Sequence, residues 1–202
     1  MTAPIDFYFD FSSPYGYFGA EQIDALAERY GRKVNWHPML LGVVFKSVGT
    51  APLPSIPVKG PYSLNDIRRT ARFFGLPYVH PSRFPLATQQ AGRAFTWLSD
   101  RDPLLARNFA LATYRAYFTA DRDISDRAVL LELAAGLGVN ATELSAGLAD
   151  ESLKARFKAN VEAALARGVF GSPFFIVDGE PFWGSDRLPQ LEKWLAEGGL
   201  LT

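Results

Sequence analysis

The chain has 202 residues, 48% of them hydrophobic and 21% charged, the proportions of a folded domain of ordinary size rather than of a disordered segment. Lys plus Arg and Asp plus Glu each total 21, which removes any general electrostatic pull toward nucleic acid or an anionic membrane. There is no cysteine and there are two histidines, His37 and His80, so disulfides, thiolate metal sites and a cysteine nucleophile are excluded and a histidine-rich metal site is disfavoured.

The N-terminus meets Asp6 and Asp10 before a signal-like apolar core forms, and no apolar run approaches the roughly 18 residues of a membrane span, so a cytoplasmic protein is expected. Ile5 to Phe11 (IDFYFDF) is aromatic-rich and partly alternating, which suits a strand. Ser12, Ser13 and Pro14 then read as a cap followed by a first-turn proline. A helix is predicted from Pro14 to about Tyr30, with Phe18, Ile23, Leu26 and Ala27 at helical intervals and Gly31 as its stop. Lys33 to Met39 reads as a second strand.

Thr50 to Pro61 (TAPLPSIPVKGP) holds four prolines and a glycine in twelve residues, which predicts a loop with no regular element. Helical stretches follow at Ser63 to Phe74, Thr88 to Asp100, Pro103 to Phe118, Asp126 to Leu137 and Glu151 to Arg167, with Asp126 and Asn140 as N-caps and Gly138 and Gly168 as stops. Phe174 to Val177 and Glu180 to Trp183, separated by Asp178-Gly179, predict a hairpin, and a last helix runs from about Arg187 to Leu195. Removing the helical block leaves βαβ plus ββα, the order of a thioredoxin-like core. The expectation is an α/β fold in which residues 1–40 and 168–202 form a discontinuous thioredoxin-like domain and 41–167 an inserted all-helical domain.

Ser13 stands where a thioredoxin-like core places its reactive cysteine, at a helix N-terminus whose N–H groups and dipole favour negative charge. SPYG (Ser13 to Gly16) keeps the frame of a C-x-x-C motif with serine in the first position and glycine in the second. The serine is either an ordinary N-cap or a hydrogen-bond donor to an anion supplied from outside, such as the sulfur of a small thiol. Neither histidine is placed by sequence to serve as the base of a serine hydrolase. Ser172-Pro173, directly before the third strand, is either a strand-entry proline or the cis-proline loop beside the reactive position, where glutathione could pair with the backbone. In WGSDR (Trp183 to Arg187), Ser185 or Asp186 either caps the last helix or holds the charged ends of glutathione. His37 reads as a strand residue, Asp66 with Arg69 as a local ion pair, and Phe11, Tyr15, Trp36 and Phe84 as candidate walls for an aromatic substrate.

The segments DFYFDFSSPYGY, PVKGPY with downstream NDIRR, FGLPYVHPSRFP, VFGSPFFIV and FWGSDRL, in this order along essentially the whole chain, resemble 2-hydroxychromene-2-carboxylate isomerases. These are relatives of kappa-class glutathione transferases in the DsbA-like branch of the thioredoxin fold. The resemblance implies a glutathione-dependent cis/trans isomerase, with Ser13 as the catalytic serine holding the glutathione sulfur. A kappa-like transferase or peroxidase that consumes glutathione is the alternative. It further implies that Ser172, Pro173, Trp183, Gly184, Ser185 and Asp186 bind glutathione, that Lys59 and Tyr62 reach the site from the helical lobe, and that Arg83 and Phe84 approach an aromatic carboxylate substrate. Relatives often carry asparagine where this chain has Thr50. A homodimer is implied as well; the balanced charge, the short apolar runs and the lack of cysteine lead to the further expectation of neither nucleic acid nor membrane as partner and no metal.

Overall fold

The computed structural model describes residues 3–199. Four strands, β1 (Ile5–Phe9), β2 (Val34–Pro38), β3 (Phe174–Val177) and β4 (Glu180–Trp183), form one sheet in the order β2-β1-β3-β4. β1 and β2 run parallel, joined by helix α1 (Pro14–Arg29), while β3 is antiparallel to both β1 and β4. This is the thioredoxin-like sheet expected from the order of elements. Helices α2 (Leu41–Val48), α3 (Lys59–Phe73), α4 (Gln89–Ser99), α5 (Pro103–Ala120), α6 (Arg127–Ala135), α7 (Ala141–Ala149) and α8 (Glu151–Ala166) lie between β2 and β3 in the chain, and α9 (Leu188–Glu197) closes it.

An aromatic core joins the sheet to the helices. Phe7 stacks on Phe175 at 5.2 Å, and Phe9 meets Phe95 of α4 edge-on at 5.2 Å. Each such buried ring contributes on the order of 1.5–3 kcal/mol of transfer free energy, so this seam fixes α4 and α5 against β1 strongly. Asp102, Asp126, Asn140 and Asp150 each accept a first-turn N–H, which is why α5 to α8 begin where they do.

Three expectations needed correction. The first strand stops at Phe9 rather than Phe11, because Asp10 turns its backbone away from the sheet ladder and donates its N–H to Ser172 Oγ. Helix α2 was not anticipated: LGVVFKSV is short, β-branched and carries a glycine, a poor helix by propensity. Tertiary burial decides instead, since Leu41 and Val44 pack with Tyr8, Met39 and Phe174 on one face of the sheet. The proline-rich stretch is not wholly irregular either. It contains a 3₁₀ turn at Leu53–Ser55, and α3 starts at Lys59, four residues before the predicted Ser63. Pro61 is tolerated there because N–H groups of a first helical turn have no intrahelical partner to lose.

Candidate functional site

Ser13 caps α1: its backbone is extended (φ −93°, ψ 116°) and its Oγ accepts the Gly16 N–H at 3.0 Å. The hydroxyl donates to the carbonyl of Ser172 at 2.8 Å, although only 4% of the residue is exposed. Capping and a second hydrogen bond, to the cis-proline loop, therefore coexist in one side chain. Gly16 is required by proximity: a Cβ there would lie 2.7 Å from both Ser172 Oγ and Tyr114 Oη. The second frame position of SPYG is thus a contact surface that leaves no room for any side chain.

The Ser172–Pro173 peptide bond is cis, and Pro173 packs so closely on α1 that a Cβ at Gly19 would stand 3.0 Å from its ring. Ser172 is buried and uses both ends. Its carbonyl accepts from Ser13 and its Oγ accepts the Asp10 N–H at 3.0 Å. Asp10 itself is 2% exposed and has no cationic partner among the described residues. Its carboxylate accepts instead from Ser12 N–H (2.8 Å), Leu41 N–H (2.5 Å) and Thr88 Oγ1 (2.7 Å). Burial pushes its carboxyl above the ordinary aspartate range, while those hydrogen bonds pull it back. Tyr114, fully buried and driven far above the phenol range by burial and then by the Asp10 charge, remains a hydroxyl donor to the Asp10 carbonyl at 2.9 Å.

The Trp183 to Asp186 segment is tied to this loop by the Gly184 N–H, which donates to the Pro173 carbonyl at 3.0 Å. Gly184 has φ +111°, and a Cβ on it would meet Asp186 Oδ1 at 2.3 Å, so glycine alone fits. Neither Ser185 nor Asp186 caps a helix: the 3₁₀ turn they open and α9 beyond it both lack a side-chain cap. The capping alternative is therefore corrected, and Asp186, exposed and 3.5 Å from Arg187, keeps its carboxylate at the surface. Trp183 is 56% exposed and meets Phe170 edge-on at 4.9 Å; its indole lies over Gly171.

From the helical side, Tyr15 donates to Asp66 of α3 at 2.6 Å, and Arg69 bonds both Asp66 and the Tyr62 hydroxyl. Asp66 is thus more than half of a local ion pair, because it also docks α3 on the first turn of α1. Burial, and then Asp66, raises the Tyr15 hydroxyl beyond its usual range, so it stays a donor. Lys59 and Thr50 are exposed and make no side-chain hydrogen bond or ion pair with any described residue. Val58, just before Lys59, has φ +68°, a conformation rare for a β-branched residue, and the Lys59 N–H closes a tight turn onto the Pro57 carbonyl.

Arg83 is engaged by Asp123, and Phe84 packs against His80 at 5.2 Å. Of the proposed aromatic walls, Phe11 is core, 1% exposed, whereas Trp36 is half-buried, packed edge-on against Phe7 at 4.8 Å with its Nε1 donating to Asp24. His37 is a strand residue as expected, stacked on Tyr8 and bonded to Asp6 at 3.0 Å. A cavity of about 580 Å³ opens along β2, α4 and α8, but it contains none of the Ser13 or Ser172 set, and its Arg156 and Arg167 are already paired with Asp100 and Asp6. Among the described residues no group of three or more acidic or histidine side chains could hold a metal, and no helix is long and apolar enough to cross a membrane.

Sequence reasoning brought together Ser13, Ser172, Pro173 and Gly184, but it missed Asp10 and Tyr114. A carboxylate inside FYFDF was a usable signal for the first. Nothing in the helical pattern distinguished the second.

Residues 4–196 match the family model described as a DSBA-like thioredoxin domain. The chain is 28% identical over 200 residues to the 2-hydroxychromene-2-carboxylate isomerase of Sphingobium xenophagum, covering 98% of this chain and all of that protein. It is 26% identical to glutathione S-transferase kappa 2 of Caenorhabditis elegans, over 96% of this chain and 92% of the relative. The solved structure of a 2-hydroxychromene-2-carboxylate isomerase superposes with a TM-score of 0.86 at 25% identity, over 96% of this chain and 94% of that one.

Proposed function

We propose, from the premise that the chain belongs to the DsbA-like thioredoxin-domain family, that it is a glutathione-dependent cis/trans isomerase of an aromatic unsaturated 2-oxo acid. The reaction would interconvert 2-hydroxychromene-2-carboxylate and trans-o-hydroxybenzylidenepyruvate or a close analogue. Relatives named as isomerases and as kappa-class transferases support an isomerase or transferase within the family. The observation that carries the finer reading is the Ser13 hydroxyl, which stands at the α1 N-terminus against the cis-proline loop in a chain with no cysteine of its own. Disulfide exchange by the protein is chemically closed, and the reactive position is left with a donor.

The residues fit glutathione. Ser13 and the α1 N-terminus would hold its sulfur, the Ser172-Pro173 backbone its peptide portion, and Ser185 with Asp186, neither spent on a helix cap, its charged terminus, with Trp183 and Gly184 beside them. Lys59 would reach in from α3. Bound glutathione supplies a thiol able to add reversibly to a conjugated double bond, which lets that bond rotate and leaves the thiol unconsumed. The protein's part is to favour the thiolate without overstabilising it. Of the first-turn donors, Pro14 has no N–H and the Gly16 and Tyr17 N–H groups already go to Ser13, so the Ser13 hydroxyl would serve by turning its one hydrogen from the Ser172 carbonyl to the sulfur. One hydrogen bond to a charged sulfur is worth about 1.5–3 kcal/mol, or one to two units of thiol pKa. Tyr62, Thr50, Arg83 and Phe84 would border the substrate, with the Arg83 guanidinium exchanging Asp123 for the substrate carboxylate. In this reading 1–40 with 168–202 and 41–167 act as two lobes of a cytoplasmic homodimer.

The test mixes the protein with excess 2-hydroxychromene-2-carboxylate, with and without catalytic glutathione, follows the ultraviolet spectrum and titrates free thiol at the end. Isomerisation that needs glutathione and returns all of it supports the proposal. Relatives named as kappa-class transferases favour a second reading, a transferase, and thiol consumption with a general electrophile but no isomerisation would establish that instead.

A further inference from the structure

Asp10 hydrogen-bonds to several of the segments around Ser13 at once. Its carboxylate receives the Leu41 N–H at the start of α2, the Thr88 hydroxyl at the start of α4 and the Ser12 N–H in the turn before Ser13. Its own N–H goes to Ser172 Oγ in the cis-proline loop, and its carbonyl receives both the Ser13 N–H at 2.9 Å and the Tyr114 hydroxyl from α5. A buried carboxylate without a cation is an expensive way to satisfy three donors. Asparagine, nearly the same shape, would oppose its NH₂ group to a backbone N–H, so only an acceptor on both oxygens completes this arrangement. We infer that Asp10 is the positioning residue of the site, holding the Ser13 hydroxyl and the Ser172 carbonyl in register by fixing both sides of the α1 turn at once. The inference rests on the reading of Ser13 and Ser172 as the thiol-binding pair. It concerns a group that touches neither thiol nor substrate.

Asp10→Asn tests it in the full-length protein with glutathione and 2-hydroxychromene-2-carboxylate. The expected result is a loss of about 10- to 100-fold in kcat, as for small misplacements of reacting groups, with KM for glutathione held within about threefold. An unchanged kcat, or a loss no larger than the fall in folded fraction, would overturn the inference. Should Asp10→Asn fail to fold, Thr88→Val removes one donor and Thr88→Ser restores it. A kcat lowered in the first and recovered in the second supports the positioning role, and two indistinguishable variants refute it. If the wild type neither binds nor uses glutathione, the functional reading falls by itself. Amide hydrogen exchange then decides on Asp10 separately: faster exchange at Ser13 and Gly16, with β4 unchanged, supports the inference, and unchanged exchange at those amides ends it.

Discussion

Around Ser13 the polar groups are buried and bonded to one another, Ser13 to Ser172, Ser172 to Asp10 and Asp10 to Tyr114. Around Lys59, Thr50 and Asp186 they are exposed and held by little. The buried group is positioned before any ligand arrives, whereas each exposed side chain must lose rotamer freedom to make a contact. A hydrogen bond from the floor can therefore discriminate between charge states of a sulfur, while the rim contributes mainly binding. If this contrast is right, changes at the floor lower turnover and changes at the rim alter affinity.

The largest expected effect is that of Ser13→Ala. Loss of a preorganised donor to a developing or resident anion costs about 10²–10³ in kcat, and loss of the N-cap bond to Gly16 lowers stability by about 1 kcal/mol. Steady-state kinetics at saturating glutathione, with urea unfolding alongside, separates the two. A variant that keeps its kcat would mean that the floor only folds the helix.

Gly16→Ala comes next and sharpens the contrast through its sign. In an open helix the change would gain about 0.5–1 kcal/mol. Here the methyl would stand 2.7 Å from Ser172 Oγ and Tyr114 Oη, both locked in hydrogen bonds, so a loss of about 1–3 kcal/mol in denaturant unfolding is expected. A gain would show that the floor yields easily.

Asp10 adds a pH dependence. Burial raises its folded pKa above the unfolded value near 3.9, so between those two values the folded state binds the proton that the unfolded chain has released. The group's contribution is then fully present below about pH 4 and is lost as the pH climbs through the folded pKa. The stability of the wild type minus that of Asp10→Asn is expected to fall as pH rises through this window, with a slope of at most about 1.4 kcal/mol per unit. A rising difference would place the folded pKa below the unfolded one and make the carboxylate a net stabiliser.

The sheet, α1 and the cis-proline loop were legible because local chemistry and tertiary structure agree there: β-forming aromatics, a serine cap with proline behind it, and Asp178-Gly179 between two strands. The sequence misled where they disagree. Valine and glycine in α2 argue against a helix that burial of Leu41 and Val44 enforces, and four prolines hid a helix start at Lys59. Ser13, Ser172 and Gly184 could be found because a motif position marks each. Asp10 and Tyr114 meet only in three dimensions, 104 residues apart in the chain.

The smallest effects belong to the rim, and they test the comparison from its weak side. Asp186 and Lys59 are exposed, so an ion pair with glutathione at either is worth about 0.2–1 kcal/mol, at most roughly fivefold in affinity. Asp186→Ala and Lys59→Ala are accordingly expected to raise KM for glutathione by up to that factor while kcat stays put, and the penalty should shrink as salt is added. They lie far apart in the chain, one beside Gly184 and one at the first position of α3, so their effects should add if each holds a different end of the same ligand. A fall in kcat at either position would mean that the exposed residue controls geometry at the sulfur, and the division between a preorganised floor and an adaptable rim would have to be abandoned.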